Sequence, residues 1–132
     1  MVRNLFRVLL VLWAGSLWSL AAWVAPTLFY AQSDRHLAGV LAARLFSIET
    51  YVALGVAALA LLLPGRMRFV WGYFAAALLS VNEWILKGIM AQAHVLGAVG
   101  HLGFGAWHGV SAVLYVLACL AVLRLVWKED FR

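Results

Sequence analysis

The sequence predicts an all-α, integral membrane four-helix bundle with both termini in the cytoplasm. Three observations carry that prediction. The chain has 132 residues, 67% of them hydrophobic and 11% charged, more apolar surface than a soluble domain of this size can bury. Four apolar runs, at residues 8–30, 45–63, 69–86 and 106–127, are each long enough to cross a hydrocarbon core at about 1.5 Å per residue. The basic residues gather at the ends of these runs, so the net charge of +5 reads as orientation in a bilayer and excludes nucleic acid as the partner. The expectation is a single transmembrane domain covering residues 1–132, a multi-pass protein of the cell inner membrane.

The first span, VLLVLWAGSLWSLAAWVAPTLFY, carries no formal charge. Gly15, Ser19, Ala22 and Pro26 recur at steps of four, three and four and share one helix face, where small residues let helices approach closely in lipid. Pro26 is expected to kink or end the helix near its outer end. The run is longer than a signal-peptide core and Trp23 sits badly near an Ala-x-Ala site, so an uncleaved first helix is expected. Residues 31–44, with Asp34, Arg35, His36, Gly39 and Arg44, are too charged for the hydrocarbon and read as an interfacial turn or short amphipathic helix.

The second span then begins near residue 45, which puts Glu49 in its first turns, where the helix dipole favours a carboxylate. Pro64-Gly65 stops it. The third span is clean until Asn82 and Glu83, and Lys87 follows Glu83 at the favoured i,i+4 spacing for a helical ion pair. Residues 88–106 are glycine-rich and read as a connection able to hold a short interfacial or re-entrant helix. The fourth span ends in the polar tail 128–132. Arg3, Arg7, Arg66, Arg68, Arg124, Lys128 and Arg132 fall on one side of this arrangement and Arg35, Arg44 and Lys87 on the other, and the positive-inside rule sets the orientation.

With that topology the chemically interesting groups collect at the outer end: Asp34, His36, Arg44, Glu49, Asn82, Glu83, Lys87, His94, His101 and His108. Ionisable groups at membrane depth are costly unless paired or used, which makes them the candidate site. His108, Ser111, Tyr115 and Cys119 form a stripe on the fourth helix. His108 reads equally as a ligand or proton-relay group and as a structural histidine bonded to a carbonyl or to Glu49. The candidate polar site is thus His108, Ser111, Glu49, Asn82, Glu83 and Arg44. His94, His101 and His108 recur every seven residues, and on one continuous helix they would line a face, with Met90 and Cys119 as soft supplements for copper. The intervening glycines argue against that helix, and solvated loop histidines are the better reading. Bis-histidine haem would need a second inward histidine on another span. No cofactor is expected, no phosphate loop or nucleophile elbow is present in the sequence, and no catalytic residue is assigned.

The strings WAGSLW (13–18), VAPTLF (24–29), DRHLAG (34–39) and RLF (44–46), with WHGVS (107–111) and Asn82, resemble the transmembrane protein 205-like family, whose small bacterial members carry a domain of unknown function. The resemblance implies a four-helix membrane fold and singles out Trp13, Gly15, Pro26, Phe29, Ala38, Gly39, Phe46, His108 and Gly109. The animal relative's link to platinum-drug resistance and export implies a transport-type activity. The functional expectation is transport or export of a cation, metal complex or small solute. The alternatives are an assembly factor that binds another membrane protein and, last, a membrane haem or metal enzyme. The expected partners are the lipid bilayer and either further copies of the chain or another membrane protein.

Overall fold

A computed structural model describes residues 1–130; Phe131 and Arg132, the latter counted in the charge asymmetry above, lie outside the described residues. Four long helices, α1 (Val2–Ala31), α2 (Arg35–Leu62), α3 (Val70–Leu96) and α4 (Phe104–Asp130), follow one another through short connections. Each is long and apolar enough to cross a membrane. They form a ring in which α1 packs on α2 and α4, and α3 packs on α2 and α4. The chain therefore starts and finishes at the same end of the bundle.

Alanines make the ring close. Ala53, Ala60, Ala75, Ala76, Ala118 and Ala121 are buried at the helix contacts, as expected where close backbone approach, not withdrawal from water, drives helix association. Larger side chains from α1 and α4, Leu10, Trp13, Leu17, Val122 and Leu125, fill the axis. Near the chain termini an aromatic plug closes the core: Phe69 lies 5.7 Å from Phe6, 6.4 Å from Trp13 and 5.0 Å from Tyr73, centroid to centroid. Gly72 sits directly beneath the Phe69 ring, and a Cβ there would overlap it. Leucines and valines such as Leu12, Leu59, Val113 and Leu120 point outward, the distribution a lipid-facing surface requires.

The helices depart from the expected spans in three places. α2 begins at Arg35, so residues 35–44 are not a turn but the opening turns of a long helix. Asp34 caps it, its Oδ1 accepting from the backbone N–H of His36 at 2.9 Å and of Leu37 at 3.1 Å. α3 continues through Lys87 and Gly88 to Leu96, so the glycine-rich connection shrinks to residues 97–103. There Gly97 and Gly100 take positive φ (85° and 58°), as does His101 (70°), and Val99 pairs back to Leu102 in a tight turn. The re-entrant helix considered for 88–106 is replaced by this turn and by the end of α3.

Nor does Pro26 end α1. The helix loosens into a π turn at Leu20–Val24 and resumes at Ala25–Ala31 with the proline in its first turn. The wider turn accommodates a ring that would otherwise crowd the carbonyl one turn earlier. The small residues Gly15, Ser19, Ala22 and Pro26 all lie on the exposed side of α1, so they serve no contact inside this bundle. Trp13 is buried, whereas Trp18 is 37% exposed.

Candidate functional site

Because α2 starts at Arg35 and α3 ends at Leu96, Glu49, Asn82 and Glu83 sit near the middle of their helices and not at the outer end. The dipole argument for Glu49 fails with the early helix start, since that effect fades within the first turn. The polar groups form a layer across the bundle.

Its α2–α3 side is fully matched. Ser47 Oγ lies 2.8 and 3.0 Å from the two carboxylate oxygens of Glu83. Lys87 Nζ donates to Glu83 Oε1 at 2.9 Å and to Ser47 Oγ at 2.7 Å. Ser47 Oγ also lies 3.0 Å from the Ala43 carbonyl, so its one proton is shared between that carbonyl and the carboxylate while the ammonium uses its lone pair. A second π turn, Asn82–Leu86, carries this group. On the α3–α4 side Asn82 Nδ2 donates to the Ser111 carbonyl at 3.1 Å, and Ser111 Oγ returns a 2.6 Å bond to Asn82 Oδ1. Both are among the candidate residues named from the sequence, and here they link α3 to α4.

The α1–α2 side is different. Glu49 is 8% exposed, and its one hydrogen bond comes from Ser16 Oγ at 3.2 Å to Oε2. That hydroxyl also lies 2.9 Å from the Trp13 carbonyl, so a single proton is shared between two acceptors. No hydrogen bond reaches Glu49 Oε1, and no cation pairs with the carboxylate, among the described residues. Ser16 itself is exposed, so the buried carboxyl is one hydroxyl away from the bundle surface. Tyr115 and Cys119 are buried on α4. Tyr115 Oη donates to the Leu17 carbonyl at 2.9 Å and packs edge-on against Phe46 at 4.8 Å. This clamp fixes α4 on α1 just before the π turn. The arrangement can receive a proton or a small cation beside Ser16, because it offers carboxylate oxygen without a countercharge.

His108, Arg44 and the remaining histidines do not join this layer. Ser111, Tyr115 and Cys119 turn inward as the stripe predicts, but His108 is exposed and stacks on Phe104 at 6.0 Å. It does not bond Glu49. His94 flanks the other side of Phe104 at 5.5 Å. His101 sits in the turn, and the helix break at Gly97 removes the common face that a seven-residue spacing implies. Arg44 is exposed on α2. Among the described residues no group of three or more His, Cys, Asp and Glu side chains is disposed to hold a metal ion.

Residues 8–127 match the family model described as Domain of unknown function (DUF4149). The chain belongs to that family. No curated protein and no solved structure matches it. The family description assigns no activity, so the chemistry must be argued from the site. One family model running from the start of α1 almost to the end of α4 takes in all four helices and every member of the polar layer. Ser16, Ser47 and Tyr115 are the layer residues that sequence reasoning left out of the candidate site. Ser16 was visible inside WAGSLW. Ser47 lies two positions from Glu49, a spacing that turns side chains to different helix faces, so it serves Glu83 instead.

Proposed function

We propose that this four-helix membrane protein transports a cation, the proton included, or a small solute coupled to one, with Glu49 as the ion-receiving group. The observation that carries the proposal is a carboxyl at the middle of a membrane-length helix with, among the described residues, one shared hydrogen bond and no cationic partner. A charge at the bilayer centre costs about 2.5–3.5 kcal/mol even on the mildest scale, so such a group is retained where an ion meets it. The exposed Ser16, whose hydroxyl bonds the carboxylate, supplies the approach.

A route through a single bundle of this size is narrow, and the outward face of Gly15, Ser19 and Ala22 beside Ser16 suits close packing against a second copy. We assign the orientation from the basic residues, with both termini in the cytoplasm of an inner-membrane protein. We also infer kinship with the transmembrane protein 205-like family, on the strings around Trp13, Pro26, Gly39 and His108; its export-linked animal relative favours the same reading. The alternative is an assembly factor, for which the same small-residue face would receive another membrane protein.

The test is cation and proton flux in proteoliposomes under an imposed potential. The wild-type protein is expected to conduct above empty vesicles and Glu49→Gln is expected to fall to their level while keeping its helicity. Flux unchanged in Glu49→Gln would sink the proposal. Absence of flux in the wild type together with co-purification of a defined membrane protein would favour the assembly reading.

A further inference from the structure

A cavity of about 440 Å³ opens at the end of the bundle that holds the chain start, between the first turns of α1, the end of α2, the 64–69 turn and Leu125 of α4. That volume lies within the roughly 300–1,000 Å³ typical of ligand pockets. Its lining separates into two parts. Phe6, Leu10, Leu63, Phe69 and Leu125 are its large apolar residues, and Arg3, Arg7 and Arg68 are its basic ones. None of its described lining residues is acidic. The turn is built to deliver Arg68: Gly65 adopts φ +90° and its carbonyl accepts from the Arg68 backbone N–H at 2.8 Å, which holds the arginine on the cavity side of a tight reversal.

We propose that this cavity binds the headgroup phosphate of an anionic phospholipid from the adjoining leaflet. The planar guanidinium fork matches phosphate oxygens in a way a point charge does not. The lining is amphipathic in the sense a lipid needs, with Leu10, Phe69 and Leu125 buried and Arg3 and Arg68 exposed, and basic pockets between membrane helices recruit acidic headgroups. Arginines that merely orient a helix need no cavity between four chain segments.

The experiment is native mass spectrometry of the full-length protein exchanged into mixed micelles of phosphatidylglycerol and phosphatidylcholine. Wild type is expected to retain phosphatidylglycerol selectively. Arg3 and Arg68 each contribute about fivefold, so the double variant Arg3→Gln/Arg68→Gln is expected to retain it roughly twenty-five-fold less. Should the double variant not fold, Arg68→Gln alone is expected to show the fivefold loss. Arg124→Gln serves as the control, because Arg124 lies at the same end but is held over the Trp71 ring at 5.2 Å, away from the cavity; it is expected to behave as wild type. Wild-type retention in the arginine variants would overturn the proposal. Equal loss in Arg124→Gln would overturn it too, by showing diffuse charge attraction. So would inorganic phosphate alone displacing the lipid or matching its thermal stabilisation, by showing a free-anion site.

Discussion

Glu83 and Glu49 occupy nearly the same depth of one bundle, since Ser47, the partner of Glu83, is only two residues from Glu49 on α2, about 3 Å along the axis. Their surroundings are nevertheless opposite. Glu83 has a share of the Ser47 hydroxyl, which also faces the Ala43 carbonyl, and a lysine ammonium at 2.9 Å, so its charge is balanced. Glu49 has a fraction of one hydroxyl. The difference teaches that carboxylates in membrane helices divide by their partners and not by their depth. Glu83 fastens α2 to α3, and Glu49 is the group to which the proposed function gives the ion.

Substitutions should pull the two carboxylates apart. The largest effect is expected from Glu49→Gln, which keeps the acceptor for Ser16 but removes the charge. Ion affinity should drop by roughly 2–5 kcal/mol, thirtyfold or more, when read by flux against cation concentration. The helical circular dichroism and melting temperature should hold or rise, because an unbalanced buried charge is gone. Glu83→Gln should do the reverse. Flux should persist, and stability in detergent should fall by about 1 kcal/mol, a modest figure because Lys87 is 43% exposed and can turn to solvent. A loss of flux in Glu83→Gln equal to that in Glu49→Gln would erase the distinction between them.

Tyr115→Phe probes the clamp that holds α4 beside Glu49. It should cost about 0.5–1.5 kcal/mol in thermal unfolding, the range for one buried hydrogen bond, since the Leu17 carbonyl loses its side-chain donor. Flux in this variant should change only in proportion to the folded fraction. The smallest effect belongs to His108→Ala. The imidazole is exposed and touches only the Phe104 face in the described structure, so stability should stay within about 0.5 kcal/mol of wild type. Metal content and the visible absorption spectrum of the purified protein should be the same with and without it. A metal or absorption band lost in His108→Ala would move the site to the outer end.

Helix number and type were legible in the apolar runs, because lipid leaves a chain of this hydropathy few other ways to satisfy its backbone. Two helix boundaries were not. Arg35, His36 and Arg44 lower the local hydropathy and hid the start of α2, although Asp34 carried a capping signal that composition outweighed. Lys87 and Gly88 suggested the end of α3, yet one glycine in a helix costs only about 1 kcal/mol, and the break falls at Gly97, where φ turns positive. Those shifts moved Glu49 and Glu83 from helix ends to helix middles. Asn82, Ser111, Glu49 and Glu83 were all recognisable as candidate residues from their polarity. Their grouping into a matched and an unmatched pair of environments was not, because it depends on which of Ser16 and Ser47 faces which neighbour. Spacing along one helix does not contain that information.

The most direct measurement is reaction of the membrane-embedded protein with a hydrophobic carbodiimide, with the modified residues mapped by peptide mass spectrometry and flux followed in parallel. A carboxyl without a cationic partner, one hydroxyl from the exposed Ser16, should react, and one held by Lys87 and Ser47 should not. The account predicts modification at Glu49, little at Glu83, and loss of flux in step with the Glu49 adduct. Modification of Glu83 with Glu49 untouched, or flux that survives full modification of Glu49, would contradict it.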